Sequence, residues 1–197
     1  MNSCTELPEG YKPVLQIDLQ KDKRLALLVN GIALLIVLVL FGISACFVPI
    51  DTIFDVTDPF LVLCKFFALC VGTLVYVILH EAVHGIVMRH FCEAKVKFGF
   101  TGMYAYAGSA GYYCRRHYII IALAPIVVWG VVLGLVNLLV PVSWFYVVYF
   151  IQVMNLSGGA GDLYVTWKMH KMPPDILVRD SGVAMTVFGH TEERNGI

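Results

Sequence analysis

Charge is what this sequence has least of. Only 14% of its 197 residues are Asp, Glu, Lys or Arg, while 59% are hydrophobic. A soluble domain carries about 25% charged and about 45–50% apolar residues, so an ordinary soluble fold is excluded. No excess of either sign exists, since 14 basic residues balance 14 acidic ones, and nothing points to a nucleic-acid partner. The six cysteines (Cys4, Cys46, Cys64, Cys70, Cys92 and Cys114) contain no C-x-x-C pair, which leaves neither a cysteine zinc site nor a disulfide framework. Cys46, Cys64 and Cys70 lie in apolar runs and read as small hydrophobes. The opening "MNSCTELPEGYKPVLQIDLQ" lacks the charged-then-apolar layout of a cleavable signal peptide, so the first hydrophobic segment is expected to stay in the mature protein. Repeats and low-complexity tracts are also missing.

What is present are long apolar runs. Four reach the roughly 20 helical residues needed to cross a hydrocarbon core, near residues 24–48, 60–90, 117–140 and 142–168. Each is expected to be helical, because backbone polar groups in lipid must be satisfied within their own segment. The fold class is therefore an all-α polytopic membrane protein with one or two short β-hairpins. Lys12, Lys21, Lys23 and Arg24 precede the first run, and Arg89, Lys95, Lys97, Arg115 and Arg116 surround the loop after the second. Lys168, Lys171 and Arg179 follow the fourth, while the loop "PIDTIFDVTDP" has three aspartates and no base. This positive-inside pattern puts both termini in the cytosol. It gives one membrane domain over 1–197, with cytosolic tails at 1–23 and 169–197 and a hairpin loop at 91–116. Lys65, inside the second run, is expected to snorkel to the outer surface. Alternation at Val96, Phe98 and Phe100 predicts a hairpin over 95–113, and "ILVRDSGVAMTVF" a second around its DSG turn.

Within the second run lies "VILHEAVHGIVMRH". His80 and His84 are four positions apart and project from one face of a helix. Both imidazoles can then reach a single Zn²⁺ at about 2.0–2.1 Å. Glu81 beside them can act as general base without being a ligand, the logic of H-E-x-x-H. Apolar neighbours such as Val77, Ile78, Val83 and Ile86 leave no solvated face to explain these polar groups. A catalytic zinc usually takes three protein ligands. At a rise of about 1.5 Å per residue, His84 lies about 7 Å and His80 about 13 Å inside the edge marked by Arg89. Asp162 lies about 9 Å inside the edge marked by Lys168, between them in depth. It reads either as the third ligand or as a helix N-cap after Gly161, two roles that can coexist. Gly158, Gly159 and Gly161 just before it allow close helix packing or a local break.

"HEAVHG", "ALAP" (122–125) and "NLSGGAGD" (155–162) together resemble the core of the site-2 proteases. Over most of its length the chain is more closely similar to a small bacterial membrane family of zincin peptidases. The site-2-protease resemblance implies Asp162 as third zinc ligand, a substrate- or oxyanion-contacting role for Asn155, and a hairpin that presents an extended substrate. Gly158 stands where that family carries proline, and Leu163 where it carries glycine. The expected function is a zinc metalloprotease in a bacterial plasma membrane, with one Zn²⁺ per chain, cleaving membrane or juxtamembrane peptides through a zinc-activated water. The alternatives are a zinc-holding scaffold or chaperone without turnover, which the intact Glu81 opposes, and a metal transporter. The spans hold few other polar residues (Asn137, Gln152, Asn155), too few for a transport pathway.

Overall fold

The computed structural model describes residues 3–53, 58–102 and 104–190. Most of the loop 54–59, expected to contribute no chemistry, lies outside the described residues, as does 191–197. The fold is mostly helical, with a small antiparallel sheet gathered at one end. Helix α1 (Lys23–Ala45) starts at Asp22, whose carboxylate accepts the Arg24 and Leu25 amides at 3.1 and 3.0 Å. The 33-residue α2 (Pro59–Phe91) starts the same way at Asp58, with Pro59 in the first turn, where no amide partner is lost. Helix α3 spans Arg115–Leu139. These three are long and apolar enough to cross a membrane. Their outward faces fit that role: Leu35, Leu38, Phe66, Leu74, Val131 and Leu138 are all exposed, far beyond the apolar patches a soluble monomer shows.

The fourth apolar run departs from expectation. It is not one helix but a 3₁₀ turn (Val142–Trp144), then α4 (Phe145–Gly158) and α5 (Ala160–His170), 14 and 11 residues long. The interruption falls at Gly159, where close packing leaves no room for a side chain. A Cβ there would lie 2.6 Å from Cδ1 and 2.8 Å from Cγ1 of Ile126 on α3. Around Gly158 there is open space. Lys65 also differs from expectation: it is buried, and its ammonium donates to the Thr52 carbonyl at 3.1 Å instead of reaching the surface.

Both expected hairpins form. Strands β2 (Val96–Phe100) and β3 (Ala105–Ser109) pair in register from Val96 opposite Ser109 to Phe100 opposite Ala105. Strands β5 (Leu177–Asp180) and β6 (Met185–His190) form the second, turning at Gly182 with φ +84°, a conformation natural only to glycine. More strand forms than the sequence suggested. The N-terminal segment supplies β1 (Tyr11–Ile17), and Tyr113–Cys114 supplies β4, giving a four-stranded sheet in the order β1-β6-β5-β4. Its buried face meets the ends of α2, α3 and α5 in a core that includes Met88, Tyr113, Ile121, Met169, Val178 and Val187. Helix α1 packs on α4 and α5, and α3 on α2, α4 and α5. This core thus ties together the helix ends nearest the polar cluster.

Gly159→Val is expected to cost about 1–3 kcal/mol by overpacking against Ile126, read as a lower thermal midpoint of detergent-purified protein. Gly158→Ala, made into open space, should leave that midpoint unchanged or raise it. Equal effects at the two glycines would refute the packing account of the break.

Candidate metal centre

His80 and His84 are buried one helical turn apart on α2, with ring centroids 5.0 Å apart. Asp162 meets them from α5. Its Oδ2 is 3.7 Å from Nε2 of His80, and its Oδ1 is 3.7 Å from Nε2 of His84. These separations are too long for hydrogen bonds. Ligands on one tetrahedral zinc with bonds of about 2.0–2.1 Å sit about 3.3 Å from each other, so a shift of a few tenths of an ångström brings them together. One ligand atom from each residue lies within 4.8 Å of the others. Two imidazole nitrogens and a carboxylate oxygen are a donor set zinc favours. The residues therefore fit the metal.

Asp162 occupies the first turn of α5, whose N-cap is Gly159, not Gly161. Its side chain is not the cap, and its carboxylate faces the imidazoles from the positive end of the helix, where a negative charge is favoured. The break at Gly159 is thus what puts a helix N-terminus beside the histidines.

His84 is oriented by a proline. Pro125 lies inside α3 and has no amide proton, so the carbonyl of Ile121, four residues earlier, lacks its helical partner. That carbonyl takes the His84 Nδ1–H at 2.9 Å. A carbonyl can only accept, so a proton sits on Nδ1, and Nε2, which faces Asp162, is the nitrogen left for a metal. This gives the proline of "ALAP" a physical role. His80 Nδ1 is 2.8 Å from the Tyr76 hydroxyl, which donates to Asn155 Oδ1 at 3.0 Å. The Asn155 amide donates to the Ile126 carbonyl at 2.9 Å. Asn155 is fully buried with both ends of its amide bonded, and it does not line the cavity.

That cavity holds about 610 Å³ and contains His80, Glu81, His84 and Asp162. The β2–β3 hairpin walls it through Phe100 and Tyr106, and the β5–β6 turn through Asp180 and Val183. Glu81 is next to the Ala107 amide of β3. Reading the sequence alone missed Asp180, whose carboxylate accepts the Tyr118 hydroxyl at 2.6 Å and the Gly182 amide at 2.8 Å. Loss of solvent pushes its carboxyl above the ordinary carboxylate range in spite of those bonds. No local pattern marks it, since β5 has no period that points a side chain at α2. Tyr76 was missed as well, although its place four residues before His80, on the same helix face, was a signal that could have found it. The other histidines stay apart from the cluster. His117 bonds Ser3 and stacks on Phe91, and His190 packs against Tyr11.

A mostly helical chain, apolar enough to cross a membrane three times, thus carries a His–His–Asp cluster, its histidines buried and its aspartate partly so, fit for a divalent metal. Residues 73–177 match the family described as "Putative zincin peptidase". That stretch covers more than half of the chain, and the chain belongs to this family. No curated protein and no solved structure matches it.

Pro125→Ala returns an amide proton to the Ile121 carbonyl in competition with His84. Zinc affinity is expected to fall roughly tenfold, within the range typical of lost outer-shell bonds. Chelator competition on purified protein measures it, and an unchanged affinity would show that His84 keeps its orientation without the freed carbonyl.

Proposed function

We propose that the protein is a membrane-embedded zinc metallopeptidase that cleaves peptide bonds in membrane or juxtamembrane segments of other proteins. The observation that carries this reading is the convergence of His80, His84 and Asp162, from two separate helices, beside Glu81 in one cavity. Zn²⁺ held by those three side chains would act as a Lewis acid on a water and on the scissile carbonyl. Glu81 then does the proton work. Its carboxylate takes a proton from the water as oxygen bonds to the carbonyl carbon, and returns it to the nitrogen as the C–N bond breaks.

The arrangement we propose is site-2-protease-like, with α4 and α5 together as a fourth, broken span. The excess of basic residues at the sheet end favours a cytosolic location for that end and for both termini, in a bacterial plasma membrane. The break at Gly159 suits a protease, because water and an unwound peptide must both reach the cluster. A membrane helix resists hydrolysis while its amides are bonded, and the β2–β3 hairpin is the element proposed to hold a substrate strand extended. Asn155 serves the site through the Tyr76 hydroxyl, since both ends of its amide are already engaged.

Elemental analysis of detergent-purified protein tests the reading, combined with cleavage of a reporter that carries a transmembrane segment. One zinc per chain is expected in the wild type and in Glu81→Gln, and little or none in His84→Ala and Asp162→Ala. Cleavage should fall by about 10²–10⁴ in Glu81→Gln, the usual contribution of a general base. Full zinc in Asp162→Ala would move the third ligand elsewhere. Zinc in none of the proteins, even after reconstitution, would end the metallopeptidase reading.

A further inference from the structure

We infer that Tyr76 and Asn155 are positioning residues that fix which nitrogen of His80 faces the metal. The inference rests on the metal centre proposed above and follows from a chain of one-way hydrogen bonds. The Ile126 carbonyl can only accept, so the group of Asn155 at 2.9 Å from it must be the amide NH₂. That leaves Asn155 Oδ1 toward Tyr76 at 3.0 Å, and Oδ1 can only accept, so the Tyr76 proton is committed to it. The Tyr76 oxygen, its proton used, can only accept from His80 Nδ1 at 2.8 Å. His80 therefore carries its proton on Nδ1 and presents the Nε2 lone pair on the side where Asp162 lies 3.7 Å away.

Every member of this chain is buried, and Asn155 is fully so and does not line the cavity, so no cavity water reaches its amide to replace a lost bond. The relay joins three helices. Tyr76 and His80 are on α2, Asn155 is in the last turn of α4, and Ile126 is on α3. Tyr76 is further held by an edge contact to Trp129, with centroids 6.3 Å apart. The two imidazoles thus reach one protonation pattern by separate devices, His84 through the carbonyl freed by Pro125 and His80 through the relay.

The relay makes an unusual demand on mutants. Tyr76→Phe removes the acceptor and merely releases the His80 tautomer. Asn155→Ala does something worse: it frees the Tyr76 proton to be donated to His80 Nδ1, which drives the ring proton onto Nε2, where the metal should bind. Asn155, two bonds from the imidazole, should therefore cost at least as much affinity as Tyr76. Removing the hydroxyl as well, in Tyr76→Phe/Asn155→Ala, should recover part of the loss.

The test uses the full-length protein in detergent, with zinc affinity measured by chelator competition and the His80 ring nitrogens of the metal-free protein read by ¹⁵N NMR. Wild type is expected to show the Nδ1–H tautomer at His80. Zinc binding should weaken roughly 10–100-fold in each single variant, and Asn155→Ala should show Nε2–H. The double variant should bind zinc more tightly than Asn155→Ala, a sign of coupling that two independent structural losses would not give. A bare Nδ1 in the wild type, or a double variant weaker than both singles, would overturn the relay while leaving the metal centre standing. A wild type that takes up no zinc would overturn the metal centre and this inference together. Should Asn155→Ala fail to fold, Tyr76→Phe still decides: an unchanged tautomer and affinity there would refute the relay.

Discussion

Two imidazoles and a carboxylate inside an apolar helical bundle need hydrogen-bond partners from the protein, from a metal or from water in the cavity they line. An unsatisfied polar group costs about 1–3 kcal/mol by protein mutational data, and an unpaired charge at membrane depth about 2.5–3.5 kcal/mol on insertion scales. This requirement organises the middle of the molecule. The Nδ1 side of each histidine is met by a specific acceptor, the Ile121 carbonyl for His84 and the Tyr76 hydroxyl for His80. The Nε2 sides are left to converge on Asp162.

Meeting that requirement takes irregular backbone, and the irregularities fall where they are useful. Pro125 interrupts the amide ladder of α3 and releases the one carbonyl that His84 uses. Gly159 interrupts the α4–α5 run, lets the chain lie against Ile126, and starts a new helix whose first turn carries Asp162. In a soluble protein water could repair such breaks. Here the carbonyl freed by Pro125 is taken by a side chain of the neighbouring α2.

The sheet plays the complementary part. In a bilayer, apolar helices gain little from packing on each other, because lipid is as apolar as their side chains. The four-stranded sheet supplies a dense core where α2, α3 and α5 end, and it fixes their relative positions a few turns from the cluster. Its β5–β6 turn then leans over the cavity, where Gly182 fits beneath Tyr106 and Ser181 lies against Gly108 of β3. Asp180 is brought in by that turn and bonds Tyr118 on α3.

Much of this was legible in the residues. Hydrophobic run lengths located α1, α2 and α3 to within a few residues, because a long apolar run satisfies its backbone polar groups best as a helix. The four-residue spacing of His80 and His84, in a run with no solvated side, pointed to a metal, and a depth count pointed to Asp162. Alternation and the DSG turn announced both hairpins. Other features depended on contacts between distant segments. Strand β1 reads as a polar tail until β6 offers it an edge. The fourth run reads as one helix until Ile126 crowds Gly159, and Asn155 reads as a substrate contact until Tyr76 and Ile126 occupy its amide. Local periodicity reports what one segment can do alone, so the sequence by itself determined the three long helices and the one-turn spacing of His80 and His84. Which carbonyl a proline releases, and which nitrogen of a histidine is left bare, depends on partners from other helices and was decided only by the tertiary structure.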